Sequence, residues 1–393
     1  MRLLYRDAAF TDARSAELQH GWSVLVVDGR IEFLGPEDDV FAASSVRVVD
    51  AGGATIVPSM VDSHSHVTLP GGSHWIDRIS DSTEELLRAA EHNGRLMVRS
   101  GTRWARDVGS PRRVHPDDGR ERGLALGVRD RWSGRRDRPY IRAAGTWIAK
   151  EGSLQPDVAI EAADSDALAE AVLGQLADGA DLIKLYMDGP DAEVSPWEAH
   201  EVERAIRPAE ESGVVVTAHA TTLAGARAAV GGGVDSIEHG TILDEDLAVA
   251  MAEARTFVVP TLGVMASWET FATTTTLERF TTDDGRARLA ARKEQATESV
   301  AMARRAGVPI AAGTDFGGGS LRANQMAWEV ELLAEAGLEP WEALAAATWR
   351  GGDLLRETDA GRLFVGGPAD FFLVHGNPLQ DPSALWRVWR VAD

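Results

Sequence analysis

The chain has 393 residues, with 40 basic against 61 acidic side chains, a formal net charge of −21 and no cysteine. That charge argues against a nucleic-acid partner, which asks for a basic face. The missing thiols exclude disulfides and thiolate metal sites, so a bound metal would fall to His, carboxylate or a modified side chain. No run approaches the roughly 20 apolar residues of a membrane helix, and Met1–Asp7 lacks the apolar core of a signal peptide. The expectation is a cytoplasmic protein that acts on a small molecule away from membranes, with a homo-oligomer left open.

Residues 1–58 read as short strands. Trp22–Val27 and Arg30–Gly35 flank Asp28-Gly29, a strong hairpin turn, and Val46–Asp50 is a third run. Apolar strands then alternate with Ala-rich helical stretches: Ile56–Val61, Gly101–Val108, Tyr140–Trp147, Leu182–Met187, Val214–Ala220, Ser236–Glu238, Phe257–Leu262 and Ile310–Thr314. Near-continuous apolar strands separated by helices indicate a parallel sheet, and eight such units suit a (β/α)8 TIM barrel. Ser110–Arg138 reads as a long loop over one mouth. Ser195-Pro196-Trp197-Glu198 reads as a capping box whose helix ends at Gly213. Trp341–Arg356 looks helical, and Arg362–Val365 with Asp370–Val374 looks like a closing hairpin. The expected α/β organisation is a catalytic barrel over 59–358. A small β-sandwich-like domain is expected from both termini, 1–58 and 359–393.

Chemistry concentrates at the strand ends. His64 and His66 share one face of a strand, roughly 6.6 Å apart along it, close enough to converge on one cation. Lys150, Lys184 and Lys293 are the only lysines in a chain that otherwise uses Arg. Lys184 falls inside an apolar strand, where an unprotonated amine can take up CO2 as a carbamate and bridge two metals; a guanidinium cannot. Tyr186 shares its face. His219, His239 and Asp315 each end a short apolar run. Each of these alone also suits a structural role, Asp315 as a helix cap. Together they place metal-compatible groups on five strand ends at one predicted mouth. His20, His92, His200 and His375 read as structural or solvated. His74 and His115 fall in loops that would overhang the mouth, as would Lys150 and Arg322.

The order His-x-His, Lys, His, His, Asp resembles the amidohydrolase superfamily, especially its imidazolonepropionase-like and Xaa-Pro dipeptidase-like members. Asp28-Gly29-Arg30-Ile31, Arg106-Asp107-Val108-Gly109, Val259-Pro260-Thr261-Leu262 and Gly366-Gly367-Pro368-Ala369-Asp370 carry the likeness along nearly the whole chain. Departures are Ser59 where the family has glycine after proline, no Gly-His pair in Tyr140–Ile148, and a last segment ending at Asp393 where relatives continue. The resemblance implies two divalent metal ions, zinc first, with His64, His66 and Asp315 on one and His219 and His239 on the other. Carbamylated Lys184 would bridge them. It implies cleavage of an amide, of dipeptide or N-acyl amino acid type, by a metal-bridging hydroxide. Asp315 would act as base then acid, and Tyr186 as hydrogen-bond donor to the oxyanion. Lys150, Arg322, His74 and His115 are candidates for substrate contact. A mononuclear cyclic-amide hydrolase or deaminase is the alternative reaction, against which His219-Ala220-Thr221-Thr222 lacks the His-x-x-Glu of aromatic deaminases. A non-enzymatic relative is the third reading, against which every metal-compatible group is present.

Overall fold

The structure, a computed structural model, describes residues 1–36, 46–154 and 158–392. Both chain ends meet in one sheet. Arg2–Phe10 pairs antiparallel with Gln19–Val27 and parallel with Arg47–Asp50 and Thr55–Pro58. The hairpin at Asp28-Gly29 forms as expected, both residues at positive φ (50° and 79°), as a tight two-residue turn between twisted strands requires. Phe371–Val374 closes against Thr55–Pro58, with Val388–Val391 on its other side. Alternating side chains from both ends, Leu3, Tyr5, Val24, Val26, Ile31, Ile56, Phe371 and Leu373, fill one core. The expected hairpin between Arg362–Val365 and Asp370–Val374 does not form. The Gly366, Gly367 and Ala369 backbones are instead bonded to Ile31 and Gly29, which leaves Phe371–Val374 to pair with Val388–Val391.

The middle of the chain is α/β with parallel strands. Met60–Ser65, Thr102–Asp107 and Tyr140–Ala143 form one sheet. Ile160–Ala162, Ile148–Lys150, Leu182–Tyr186, Val215–Ala220, Ser236–His239 and Phe257–Val259 form another, in that spatial order. Individual hydrogen bonds cross between them. On one side Ser63 N donates to Ala312 O (2.9 Å), Asp315 N to His64 O (2.7 Å) and Ala311 N to Val258 O (3.1 Å), which lays 310–315 between the first and last strands. On the other, Asp181 N donates to Ala143 O (2.8 Å). The expected first strand, Ile56–Val61, is two strands. Thr55–Pro58 belongs to the terminal sheet and Met60–Ser65 opens the parallel one, because Ser59 N is turned away to Asp370 O (2.9 Å).

Three further expectations change. Ser110–Arg138 is an ordered hairpin, Arg112–Val114 with Glu121–Gly123, followed by a helix Leu124–Trp132 whose apolar face is buried. The helix foreseen from Ser195 begins later, as Ala199–Glu211, with Glu198 N held by Glu201 Oε2 (2.9 Å). Burial of Trp197 (1% exposed) prevails over the local Ser195 cap, while Gly213 (φ 70°) follows the end as expected. Trp341–Arg356 is two helices, Pro340–Ala346 and Trp349–Leu354, broken where Thr348 leaves helical geometry (φ −130°, ψ −108°). Among the described residues no helix is long and apolar enough to cross a membrane.

Candidate active site

The strand ends place their histidines in one buried cluster, and each ring is held from behind. His64 Nδ1 meets Glu238 Oε2 at 2.6 Å, and His66 Nδ1 meets the Gly109 carbonyl at 2.6 Å. A carbonyl only accepts, so Nδ1 of His66 carries a proton. The Nε2 atoms of His64 and His66 both face Asp315 Oδ1, at 3.4 and 3.2 Å. His239 Nδ1 lies 2.7 Å from Thr261 Oγ1, leaving its Nε2 free. His219 is turned the other way: its Nε2 donates to Asp188 Oδ2 (3.1 Å), leaving Nδ1 free. Partners behind a ligating imidazole set its tautomer and orientation. Ligand atoms of His64, His239 and Asp315 lie within 4.8 Å of one another. The ring centroids of His64 and His239 are 4.9 Å apart, and those of His219 and His239 4.6 Å.

Beneath the rings runs a fully buried charged layer. Glu238 takes hydrogen bonds from Ser236 Oγ (2.9 Å), Thr217 Oγ1 and the Arg106 guanidinium as well as His64. Burial alone would raise its pKa, but Arg106, Lys184 and His64 hold it well below the usual carboxylate range. Asp315 is held low in the same way, burial being outweighed by His64 and His66. Burial, then the neighbouring His219 and His64, keep His239 neutral, its pKa well below the usual imidazole range. Asp188 is fixed by the backbone and hydroxyl groups of Thr221 and Thr222, and the bonds from His219 and Thr221 outweigh burial to lower its pKa.

Lys184 is the exception in this saturated network. It is 1% exposed, its Nζ has no hydrogen-bond partner among the described residues, and burial lowers its pKa to about 8. A buried amine without a partner is costly. The histidine nitrogens, an ionised aspartate and an orphan amine gathered at this position are a donor set that suits a divalent cation.

The backbone is bent to make the cluster. His239, Thr261 and Asp315 adopt left-handed φ angles of 70°, 52° and 51°, each a conformation costing about 1–3 kcal/mol outside glycine. Asp62 helps hold Asp315 in place. It binds Thr314 N (3.0 Å), Thr314 Oγ1 (2.6 Å) and His64 N (3.2 Å), which staples the two ligand-bearing segments together. Gly318 is needed for contact: a Cβ there would lie 2.1 Å from His66 Cδ2.

His64, His66, Lys184, Tyr186, His219, His239 and Asp315 all line one cavity of about 370 Å³. Tyr186 stacks on His219 (centroids 4.2 Å apart), and burial raises its phenol to about 12, so it stays a donor. The walls are Trp75, Trp147 and Trp268 with aliphatic side chains, and Arg292 stands among them. A larger hollow of about 850 Å³ lies along the helix Thr83–Arg99 but contains none of the clustered groups. Four residues proposed for substrate contact are placed elsewhere. Lys150 Nζ sits over the Trp197 ring (4.2 Å), and Arg322 bonds the Pro70 carbonyl. His74 begins a short helix and pairs with the exposed Asp77 (3.3 Å). His115 is buried in the hairpin, where its Nδ1 accepts from Asp117 N (3.2 Å). None of the four lines the cavity. Glu238, Asp188 and the tryptophans gave no sequence signal of comparable strength, and Arg106 stood only within the Arg106-Asp107-Val108-Gly109 likeness, with nothing to mark it as the partner of Glu238.

Comparison with known proteins gives the family. The amidohydrolase family matches residues 55–391. An uncharacterized protein of Mycobacterium tuberculosis is 31% identical over 392 residues, covering 98% of this chain and 92% of that protein. The imidazolonepropionase of Anaeromyxobacter dehalogenans is 26% identical, over 91% of this chain and 85% of its own length. Among solved structures, a Xaa-Pro dipeptidase with bound methionine in its active site superposes with a TM-score of 0.83 at 26% identity, covering 100% of this chain and 98% of that one. The chain belongs to the amidohydrolase family and is a hydrolase acting on C–N bonds.

Proposed function

We propose that the protein is a binuclear metal-dependent amidohydrolase that cleaves a dipeptide or N-acyl amino acid. The parallel strands would close as a (β/α)8 barrel over 59–358, with residues 1–58 and 359–393 forming an attached β domain. The observation that carries the reading is the orphan Lys184 amine, buried in the same cavity as four histidines and an aspartate. His64, His66 and Asp315 would hold one cation, His219 and His239 the second. Lys184, after its neutral amine adds to CO2 and releases a proton, would serve both. Zinc suits this His and carboxylate set, as do manganese and cobalt. Such a pair supplies Lewis-acid polarisation of the scissile carbonyl and an acidified water as nucleophile.

The chain's own groups do the rest. Asp315 accepts the proton of the attacking water and returns it to the leaving nitrogen, general base and then general acid by one side chain. Tyr186 donates a hydrogen bond to the carbonyl oxygen as negative charge develops there. The tryptophan walls exclude water and bury an apolar side chain of the substrate.

A mononuclear alternative draws on the compact triad His64, His239 and Asp315, which by itself suits one cation. Metal analysis of the reconstituted enzyme separates the two: two equivalents of metal with turnover of N-acyl amino acids or dipeptides supports the proposal. One equivalent, with hydrolysis confined to cyclic amides, replaces it with the alternative.

A further inference from the structure

A chain carrying −21 repels anions in general, so a substrate bearing a carboxylate needs a local cation to receive it. Histidines aside, Lys184 and Arg292 are the basic residues lining the cavity. Lys184 lies at the floor among the metal-compatible groups. Arg292 lies at the mouth, on the helix Asp283–Ala306 that follows the strand Phe257–Val259.

Its setting differs from that of Lys293 and Arg286 on the same helix. Lys293 is paired with Glu269 (2.8 Å), and Arg286, on the same helix, is paired with Asp283. Arg292 has no carboxylate partner and no hydrogen bond among the described residues. Its guanidinium rests 5.7 Å from the centre of the Trp268 ring. Contact with an aromatic face steadies a guanidinium while leaving its N–H groups available. Arg292, Tyr186 and Trp268 all line the cavity, and Trp147, Leu154 and Val158, which follow the third parallel strand, add apolar lining.

We infer that Arg292 is the specificity-determining residue that receives the free carboxylate of the amino acid released as the amine. The acyl group then lies against the apolar lining that includes Trp147. This rests on the amide-cleaving reading above and deepens it: the substrate is an amide whose leaving amino acid keeps its carboxylate, not a neutral amide. A planar guanidinium offers a carboxylate two parallel N–H donors, which orients the scissile bond as well as binding it.

The test pairs each member of an N-acyl amino acid and dipeptide panel with its C-terminal carboxamide, on metal-reconstituted enzyme. The free acid should be preferred in kcat/KM by about 10- to 100-fold, the range expected of hydrogen bonds to a charged group. In Arg292→Gln the preference should collapse through KM for the acid. Arg292→Lys should restore part of it, and Arg292→Glu should reverse it. Binding is read apart from turnover by isothermal titration of wild type and Arg292→Gln with N-benzenesulfonyl-L-phenylalanine and its carboxamide, neither of which has an N-acyl bond to cleave. If no amide is hydrolysed but the acid is still bound preferentially through Arg292, the reaction reading falls and the carboxylate site stands. If wild type shows no preference for the acid in turnover or binding, or if Arg292→Gln retains it, the inference is overturned.

Discussion

Glu238→Gln is the sharpest test of how the site is held together. Glu238 faces only donors: His64 Nδ1 at 2.6 Å, Ser236 Oγ at 2.9 Å, Thr217 Oγ1 and the Arg106 guanidinium. Glutamine has almost the same shape but no charge, and its NH2 group must point at one of these donors. Arg106, itself 1% exposed, is left without a counter-charge. Breaking a buried ion pair from one side costs about 3–5 kcal/mol, and that is the loss of unfolding free energy expected in denaturant titrations of the metal-free protein. Glu238 also orients His64. Losing such a partner behind a ligand weakens metal binding by about 10- to 100-fold, measurable by competition with a chromophoric chelator. The double variant Glu238→Gln/Arg106→Met should regain most of the stability, because the Arg106 charge is no longer buried without its partner, but not the metal affinity. If Glu238→Gln loses less than about 1 kcal/mol and binds metal like wild type, the buried layer neither stabilises the fold nor positions the ligand, and the reasoning fails.

Further outcomes follow from other residues. Lys184→Ala should lower metal content and activity together, and Lys184→Arg should rescue neither, since a guanidinium forms no carbamate; full activity of the Arg variant with two metals bound would remove the carbamate. Asp315→Asn should fold normally yet lose about 10²–10⁴-fold in kcat, the usual worth of a positioned acid–base group; wild-type turnover in the metal-loaded variant would take Asp315 out of proton transfer. Glu329, fully buried, accepts from Leu262 N (3.0 Å) and Gly263 N (2.7 Å), and burial raises its pKa to about 8. The folded state therefore holds this proton more tightly than the unfolded chain. The stability it confers is full below the ordinary glutamate range and lost as pH rises toward 8. Glu329→Gln should flatten that decline in urea midpoints between pH 5 and pH 8, and an unchanged slope would show that Glu329 is not its source.

The family and the six metal-compatible residues were legible in the sequence because each signal is local. An apolar run ending in His64, His219, His239 or Asp315 needs only its own segment to place a side chain at a strand end, and Lys184 stands out because arginine serves nearly everywhere else. The hairpin at Asp28-Gly29 is local for the same reason: two adjacent residues tolerate the left-handed φ the turn demands. Strand boundaries were less legible. Ile56–Val61 reads as one apolar run, and only the bond from Ser59 N to Asp370, contributed by the far end of the chain, divides it between two sheets. The partners behind the ligands were not legible at all. His64 and Glu238 are 174 residues apart, and Arg106 and Glu238 are 132 apart, so no window of sequence contains the pair. The same holds for substrate contacts. Lys150 and Arg322 lie near the right strand ends in sequence, yet one stacks on Trp197 and the other turns to Pro70. Arg292, unremarkable within a polar helix, is carried to the mouth of the cavity by the packing of that helix against Trp268. Periodicity and residue chemistry determine which groups a strand end presents. Which distant side chains face those groups depends on how the elements pack around a common centre, and that is decided by the tertiary structure.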